Sequence, residues 1–375
     1  MPVCEPYEQW MKAQQIPIYR DYYVEDARTL KLEPWTSRQC NAAFLQLVGQ
    51  EGIVEAQVIE VPPGQTLPPV KKGVDELIYV IGGNGATSVW TSETGPRQTF
   101  EWGPYSLFMI PANCWFQVAN MSGNQPARLL HYNYLPAALT ANPDIDFFLD
   151  NPYGNTSALS REGGEFYSEA KAVREEEGAM RGGGRVEHYW IGNFFPNLKN
   201  WDRLSPYYGR GAGGHVVHIK FPKSEIPSHM SVFPSRTYKK AHRHGPGTVI
   251  VIPAGEGYSV MWAQGGERIV VPWHEGSIFV PPSRWFHQHF NLGAEPARYL
   301  ALSGRILFRT SSAGGDDVVD ATLDQIGYTD EDSWTREFFE GQLAERSLAS
   351  LMPDAAYHDP DYEWDYAAVA FKTSG

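Results

Sequence analysis

A β-rich pattern occurs twice in this chain. Tyr79-Val80-Ile81-Gly82-Gly83-Asn84-Gly85-Ala86-Thr87-Ser88-Val89-Trp90 aligns, with a small insertion, on Val249-Ile250-Val251-Ile252-Pro253-Ala254-Gly255-Glu256-Gly257-Tyr258-Ser259-Val260-Met261-Trp262. Further on, Pro111-Ala112-Asn113-Cys114-Trp115-Phe116 matches Pro282-Ser283-Arg284-Trp285-Phe286-His287, with Asn120 and Asn291 in equivalent places. Gln125-Pro126-Ala127-Arg128 likewise mirrors Glu295-Pro296-Ala297-Arg298. The chain is therefore one β-barrel unit written twice. Its Gly-x-Gly triplets precede no helix, so they read as hairpin turns and not as nucleotide fingerprints.

Composition agrees. The chain has 375 residues, enough for two ordinary domains, and its 12 Trp, 20 Tyr, 18 Phe, 36 Gly and 28 Pro go with short apolar runs and many turns. The expected class is all-β. A formal net charge of -13 argues against nucleic acid or anionic membrane as partners, since both need basic surface. Cys4, Cys40 and Cys114 lack metal-type spacing and imply no disulfide framework. With no leader-like N-terminus and no membrane-length apolar run, the expected compartment is the cytoplasm.

Taken in order, residues 1–150 hold an arm, with a short helix near Tyr7 to Gln15, and the first barrel. The arm packs on that barrel or on a second subunit, and a homo-oligomer is expected. Short β runs follow at Ile53 to Val61, Leu77 to Ile81, Ala86 to Thr91, Ser106 to Ile110 and Ala127 to Leu135. Residues 151–214 read as a long connector, its Glu-rich stretch from Glu165 to Met180 as a helix, and its apolar Tyr189 to Phe195 as a segment docked on a barrel. The second barrel spans 215–322, and 323–375 is a tail with a helix from Asp332 to Leu351.

Chemistry concentrates in the second copy. In Ala241-His242-Arg243-His244 the alternation of an extended strand sends both histidines to one side and Arg243 to the other. His287, on a later strand folded back against the first, supplies a third imidazole. Three neutral nitrogen donors suit a mid-to-late divalent transition metal, whereas Mg²⁺ or Ca²⁺ would demand oxygens. By parity His289 shares the face of His287 and is the candidate general acid or base, a free imidazole titrating near neutrality. Thr248, Trp262 and Trp285 are candidate pocket-lining residues. His131, His188, His215, His218, His229, His274 and His358 lack partner spacing and read as ordinary strand or loop residues.

These residues resemble the cupin family, whose first motif is H-x-H, three or four residues, then E, and whose second is G, five residues, P-x-G-x-x-H-x-x-x-N. The second copy gives His242-x-His244 with Thr248 in the Glu place, then Gly276, five residues, Pro282-x-Arg284-x-x-His287-x-x-x-Asn291. The resemblance implies a bicupin: two tandem jelly-roll β-barrels with a long connector and a C-terminal helix. Loss of the Glu ligand narrows it to three-His cupins, most nearly the gentisate, salicylate and hydroxynaphthoate ring-cleaving dioxygenases. It implies His242, His244 and His287 as ligands, Fe(II) as cofactor and O₂ as co-substrate, although the sequence after His244 departs from theirs. Mn, Ni, Cu or Zn would satisfy the same donors.

In the first copy Val70, Lys72 and Phe116 stand at the three His positions while Glu76 is kept. The expectation there is no metal, and an ion pair between Lys72 and Glu76. At the second site three neutral ligands leave the ion its full charge, which favours a small anionic, bidentate substrate. The expected activity is dioxygenase cleavage of a C–C bond in a hydroxy-aromatic acid or enolisable compound. A metal-dependent lyase, isomerase or decarboxylase, and a non-enzymatic ligand-binding bicupin, are the alternatives.

Overall fold

The structure, a computed structural model, describes residues 4–92, 94–159, 166–174, 180–181, 184–185, 188–224, 226–303 and 323–366. It is mostly β-sheet. In the first half, one sheet runs in the order Ile18–Tyr19, Cys40–Leu45, Glu55–Val61, Ala127–Asn133, Glu76–Gly82, Leu107–Ile110, Phe194–Phe195. It faces a smaller sheet of Val70–Lys71, Trp115–Asn120, Gly85–Trp90 and Gln98–Trp102. The second half repeats the plan. Ser228–Phe233, Ala297–Leu302, Val249–Ala254 and Ile278–Phe279 are neighbours in one sheet, opposed by Ile269–His274, Glu256–Trp262, Phe286–Asn291, Ala241–His242 and Gln325–Ile326. Two tandem jelly-roll barrels account for this order.

The repeat extends to single contacts. Asn120 Nδ2 donates to the carbonyls of Val61, Pro62 and Gln125, and Asn291 Nδ2 donates to those of Pro234 and Glu295. Each side chain thereby satisfies backbone acceptors where two loops converge. Trp102 Nε1 donates to Thr87 Oγ1 at 2.9 Å, and Trp273 Nε1 to Ser259 Oγ at 3.0 Å. These indoles, together with a carbonyl of the neighbouring strand, explain the paired glycines. A Cβ on Gly85 would come within 2.4 Å of the Trp102 ring, and one on Gly257 within 1.9 Å of the Phe290 carbonyl.

The barrels are stitched together by exchanged strands. Tyr23–Val24, from the arm, pairs with Ile278–Phe279 of the second barrel, while the rest of the arm adds to the first. In the connector, His188–Ile191 adds parallel to His215–Lys220 of the second barrel, and Phe194–Phe195 pairs with Leu107–Phe108 of the first. Glu275 ties the joint, accepting from Tyr105 Oη at 2.7 Å and Lys199 Nζ at 2.5 Å with Arg28 Nη1 at 3.4 Å.

Two helix expectations need correction. In the described part of Glu165 to Met180, Lys171–Arg174 is a strand paired with His188–Ile191, because an open sheet edge overrides local helix propensity. The C-terminal helix is Ser333–Ala344, shorter than expected. Ser347 takes a left-handed φ of 58° and Leu348 N–H donates to the Leu343 carbonyl, which ends the helix and leaves Leu351 exposed. Phe339 and Leu343 are its buried anchors. Among the described residues no helix is long and apolar enough to cross a membrane.

Candidate metal centre

The Ala241–His242 strand lies between two others. His242 is register partner of His287 on one side and of Gln325 on the other. Cross-strand pairing thus sets the His242 and His287 rings 4.2 Å apart, and His244, just beyond the strand end, closes on His287 at 4.7 Å. The candidate ligand atoms of all three lie within 4.8 Å of one another.

Backbone carbonyls orient the rings. Nδ1 of His242 faces the Lys240 carbonyl at 3.4 Å, that of His244 the Gly245 carbonyl at 2.7 Å, and that of His287 the Trp285 carbonyl at 3.2 Å. A carbonyl can only accept, so each Nδ1 carries the proton and each Nε2 presents its lone pair. His287 Nε2 is buried without a hydrogen-bond partner. Burial first, then the Arg210 charge for His242 and the neighbouring imidazoles for His287, pushes both rings far below their usual pKa and keeps them neutral. Neutral, convergent, desolvated imidazoles fit a divalent transition metal. His242 and His287 are buried and His244 half-buried, so the cluster opens on the His244 side.

The first barrel holds the loops that carry these histidines. Gly247 N–H donates to the Gly49 carbonyl, Tyr132 Oη to the Gly247 carbonyl, and Ser283 N–H to Glu51 Oε1. From the tail, buried Asp324 receives Arg243 at 2.8 Å and Arg284 at 2.7 Å. Arg243 points away from the cluster, as strand parity requires.

The remaining expected site residues divide. His289 is buried beside the cluster, its ring 5.5 Å from that of His287. Ser259 Oγ, which already accepts from Trp273, lies 2.7 Å from His289 Nδ1. The expected near-neutral titration fails: burial, then the Lys239 charge, brings the His289 pKa to about 3. Its environment suits a neutral hydrogen-bonding ring. Trp262 does not line the pocket either. It is register partner of Phe286, stacks on it at 5.7 Å, and packs in the cluster under the C-terminal helix. The inward residue is Met261, partner of His287. Thr248 is buried, and Trp285 packs at the edge of the barrel interior near Tyr22.

Two basic residues carry no sequence pattern that places them here. Arg210, from the glycine-rich connector, is buried, donates to Gln325 Oε1 at 3.1 Å and acts electrostatically on His242, His287 and His289. Lys239, also buried, donates to Ser231 Oγ and to Tyr299 Oη, whose ring is 4.8 Å from that of His289. Burial, then the Arg210 charge, pushes the Lys239 ammonium well below its usual pKa. Neither residue has a carboxylate partner among the described residues. Arg210 has no sequence signal beyond an isolated arginine among glycines, and Lys239 only its place in the stretch leading to His242.

In the first barrel the expected ion pair is present. Lys72 Nζ bonds Glu76 Oε1 at 2.5 Å and Glu55 Oε1 at 3.0 Å, with His131 Nδ1 3.2 Å from Glu76. Burial opposes the charge on Glu76, but Lys72 and His131 outweigh it and bring its pKa to about 2. A depressed carboxylate contributes stability above its unfolded value of 4.5, lost as pH falls toward about 2. Acid unfolding followed by tryptophan fluorescence should therefore show a loss of stability across that window that Glu76→Gln lacks.

No protein-family model and no curated protein matches the chain. Among solved structures it is similar to a point mutant of Bacillus subtilis oxalate decarboxylase OxdC, with TM-score 0.46 and 14% identity over 75% of this chain and 76% of that one. It is also similar to the Lactobacillus farciminis oxalate decarboxylase formate complex, with TM-score 0.46 and 14% identity over 76% and 87%.

Proposed function

We propose that the second barrel is a metal-dependent enzyme site, with His242, His244 and His287 as ligands, that cleaves a C–C bond in a small anionic substrate. The observation that carries this is the pairing of three convergent neutral imidazoles with two buried basic side chains, Arg210 and Lys239, that lack carboxylate partners among the described residues. A bound divalent ion would supply Lewis acidity and a template for a chelating carboxylate, enolate or phenolate. Arg210 would hold a substrate carboxylate as a charge-assisted donor, and His289, fixed by Ser259, would donate from Nε2 to a substrate oxygen. Thr248 and Trp285 would bound the entrance near His244.

The leading reading is an Fe(II) dioxygenase acting on a hydroxy-aromatic acid or enolisable substrate, since neutral ligands leave the ion its full charge. Mn, Ni, Cu or Zn fit the same donors. The second reading is a decarboxylase or related lyase that does not consume O₂, the kind of activity named for the solved structures above. Lys239 favours it, because a buried amine whose pKa burial and Arg210 hold well below its usual value can take up a proton and return it to the carbanion left by CO₂. The test is to load the protein anaerobically with Fe(II) or Mn(II) and record O₂ uptake and CO₂ release on hydroxy-aromatic acids, β-dicarbonyls and oxalate. O₂ uptake in proportion to turnover supports the first reading, and CO₂ release without it the second. No turnover with either metal contradicts both. On any active substrate Arg210→Met should raise KM about tenfold or more, the loss of a charge-assisted hydrogen bond, with a smaller change in kcat.

A further inference from the structure

The first barrel, where Val70, Lys72 and Phe116 stand in the places of the second barrel's three histidines, encloses a cavity of about 250 Å³. Its walls are the rings of Trp10, Trp35, Trp115 and Phe116. Its floor is polar and deeply buried: Gln57 and Glu76 are 1% exposed and His131 3%. Gln57 Nε2, Glu76 Oε2, His131 Nε2 and, nearer the mouth, Arg38 Nε are all buried without a hydrogen-bond partner. Each such atom costs about 1–3 kcal/mol if left bare, and native structures tolerate few. Four around one cavity therefore call for a polar occupant. Water alone would sit against aromatic walls, whereas a ring with polar ends would cover those walls and meet the polar atoms together.

Charge indicates which end faces which way. On the floor Lys72 is already engaged by Glu76 and, behind the lining, by Glu55, so the second oxygen of Glu76 is left there as an acceptor without a partner. Toward the rim, Arg38 lies over the Trp35 ring, and Lys71 donates to the Asn151 and Tyr153 carbonyls. Neither has a carboxylate partner among the described residues. An anion belongs at the rim with Arg38, and a group that donates to Glu76 while accepting from Gln57 belongs at the floor.

We propose that the first barrel is a second, metal-independent binding site for a small aromatic carboxylate bearing a hydroxyl or N–H at its far end. Loss of the metal ligands would then have turned one barrel from chemistry to recognition. This site does not depend on the reading of the second barrel.

The test is a calorimetric titration of the full-length chain, stripped of metal by chelator, with 4-hydroxybenzoate. Benzoate and phenol serve as probes of the two ends. The expected result is saturable binding at one site per chain, weakened about tenfold or more for either single-ended probe. Arg38→Met, at the partly exposed rim, should cost a similar factor, and Val70→Trp, which fills the cavity, should abolish binding. Near-ultraviolet circular dichroism checks that both variants keep the native fold. Absence of saturation up to roughly 10 mM 4-hydroxybenzoate overturns the proposal. So does full affinity in either variant, which would place the ligand elsewhere.

Discussion

Replacing His287 by alanine is expected to strip the second barrel of its metal, from about one ion per chain to below about a tenth, while the chain remains folded. His287 is central because it faces both other histidines, is only 1% exposed within the Phe286–Asn291 strand, and has an Nε2 with no partner among the described residues. No water can replace the lost donor without entering a buried site. His289→Ala gives the contrast. Its ring is held by Ser259 and carries no ligand role, so metal is retained, with affinity reduced at most about 10–100-fold, while turnover falls. Metal analysis after dialysis checks both. Equal loss from the two variants would make His289 a fourth ligand.

The largest effect on stability is expected in the other barrel. Lys72→Met leaves Glu55 and Glu76, with side chains 0% and 1% exposed, without their cation and with neutral Asn133 and the His131 ring as polar partners. Removing one member of a buried ionic cluster strands the others, and the cost is about 3–5 kcal/mol. Urea unfolding at neutral pH should show it as a lower midpoint. Adding Glu55→Gln and Glu76→Gln to Lys72→Met should recover much of the loss, since neutral amides need no counter-charge. A single variant as stable as the parent would mean that the carboxylates take up protons at little cost, contrary to the low pKa of Glu76.

The barrels and the convergence of the three histidines were legible in the sequence for a physical reason. Gly85 and Gly257, Asn120 and Asn291, and Trp102 and Trp273 are steric or hydrogen-bonding necessities of one fold, so duplication preserved them in register. His242, Arg243 and His244 announced their faces through alternation alone. Trp262 was misplaced because the repeat gives its position along the strand but not its face; only its pairing with Phe286 fixes that. The exchanged strands are two to four residues long, and their pairing depends on which sheet edge is open. Local pattern cannot report that. Arg210, Lys239 and Asp324 reach the site from the connector, a loop and the tail, so their proximity is tertiary. The near-neutral titration expected of His289 assumed a solvated ring, and burial removed that premise.

Both functional readings of the second barrel rest on one metal site per chain, built by His242, His244 and His287 in that barrel alone. Metal stoichiometry of anaerobically purified protein, measured by inductively coupled plasma mass spectrometry alongside the His287→Ala variant, tests it most directly. One equivalent of a transition metal per chain, absent from the variant, is the predicted result. Two equivalents, or one that persists in the variant, would contradict it.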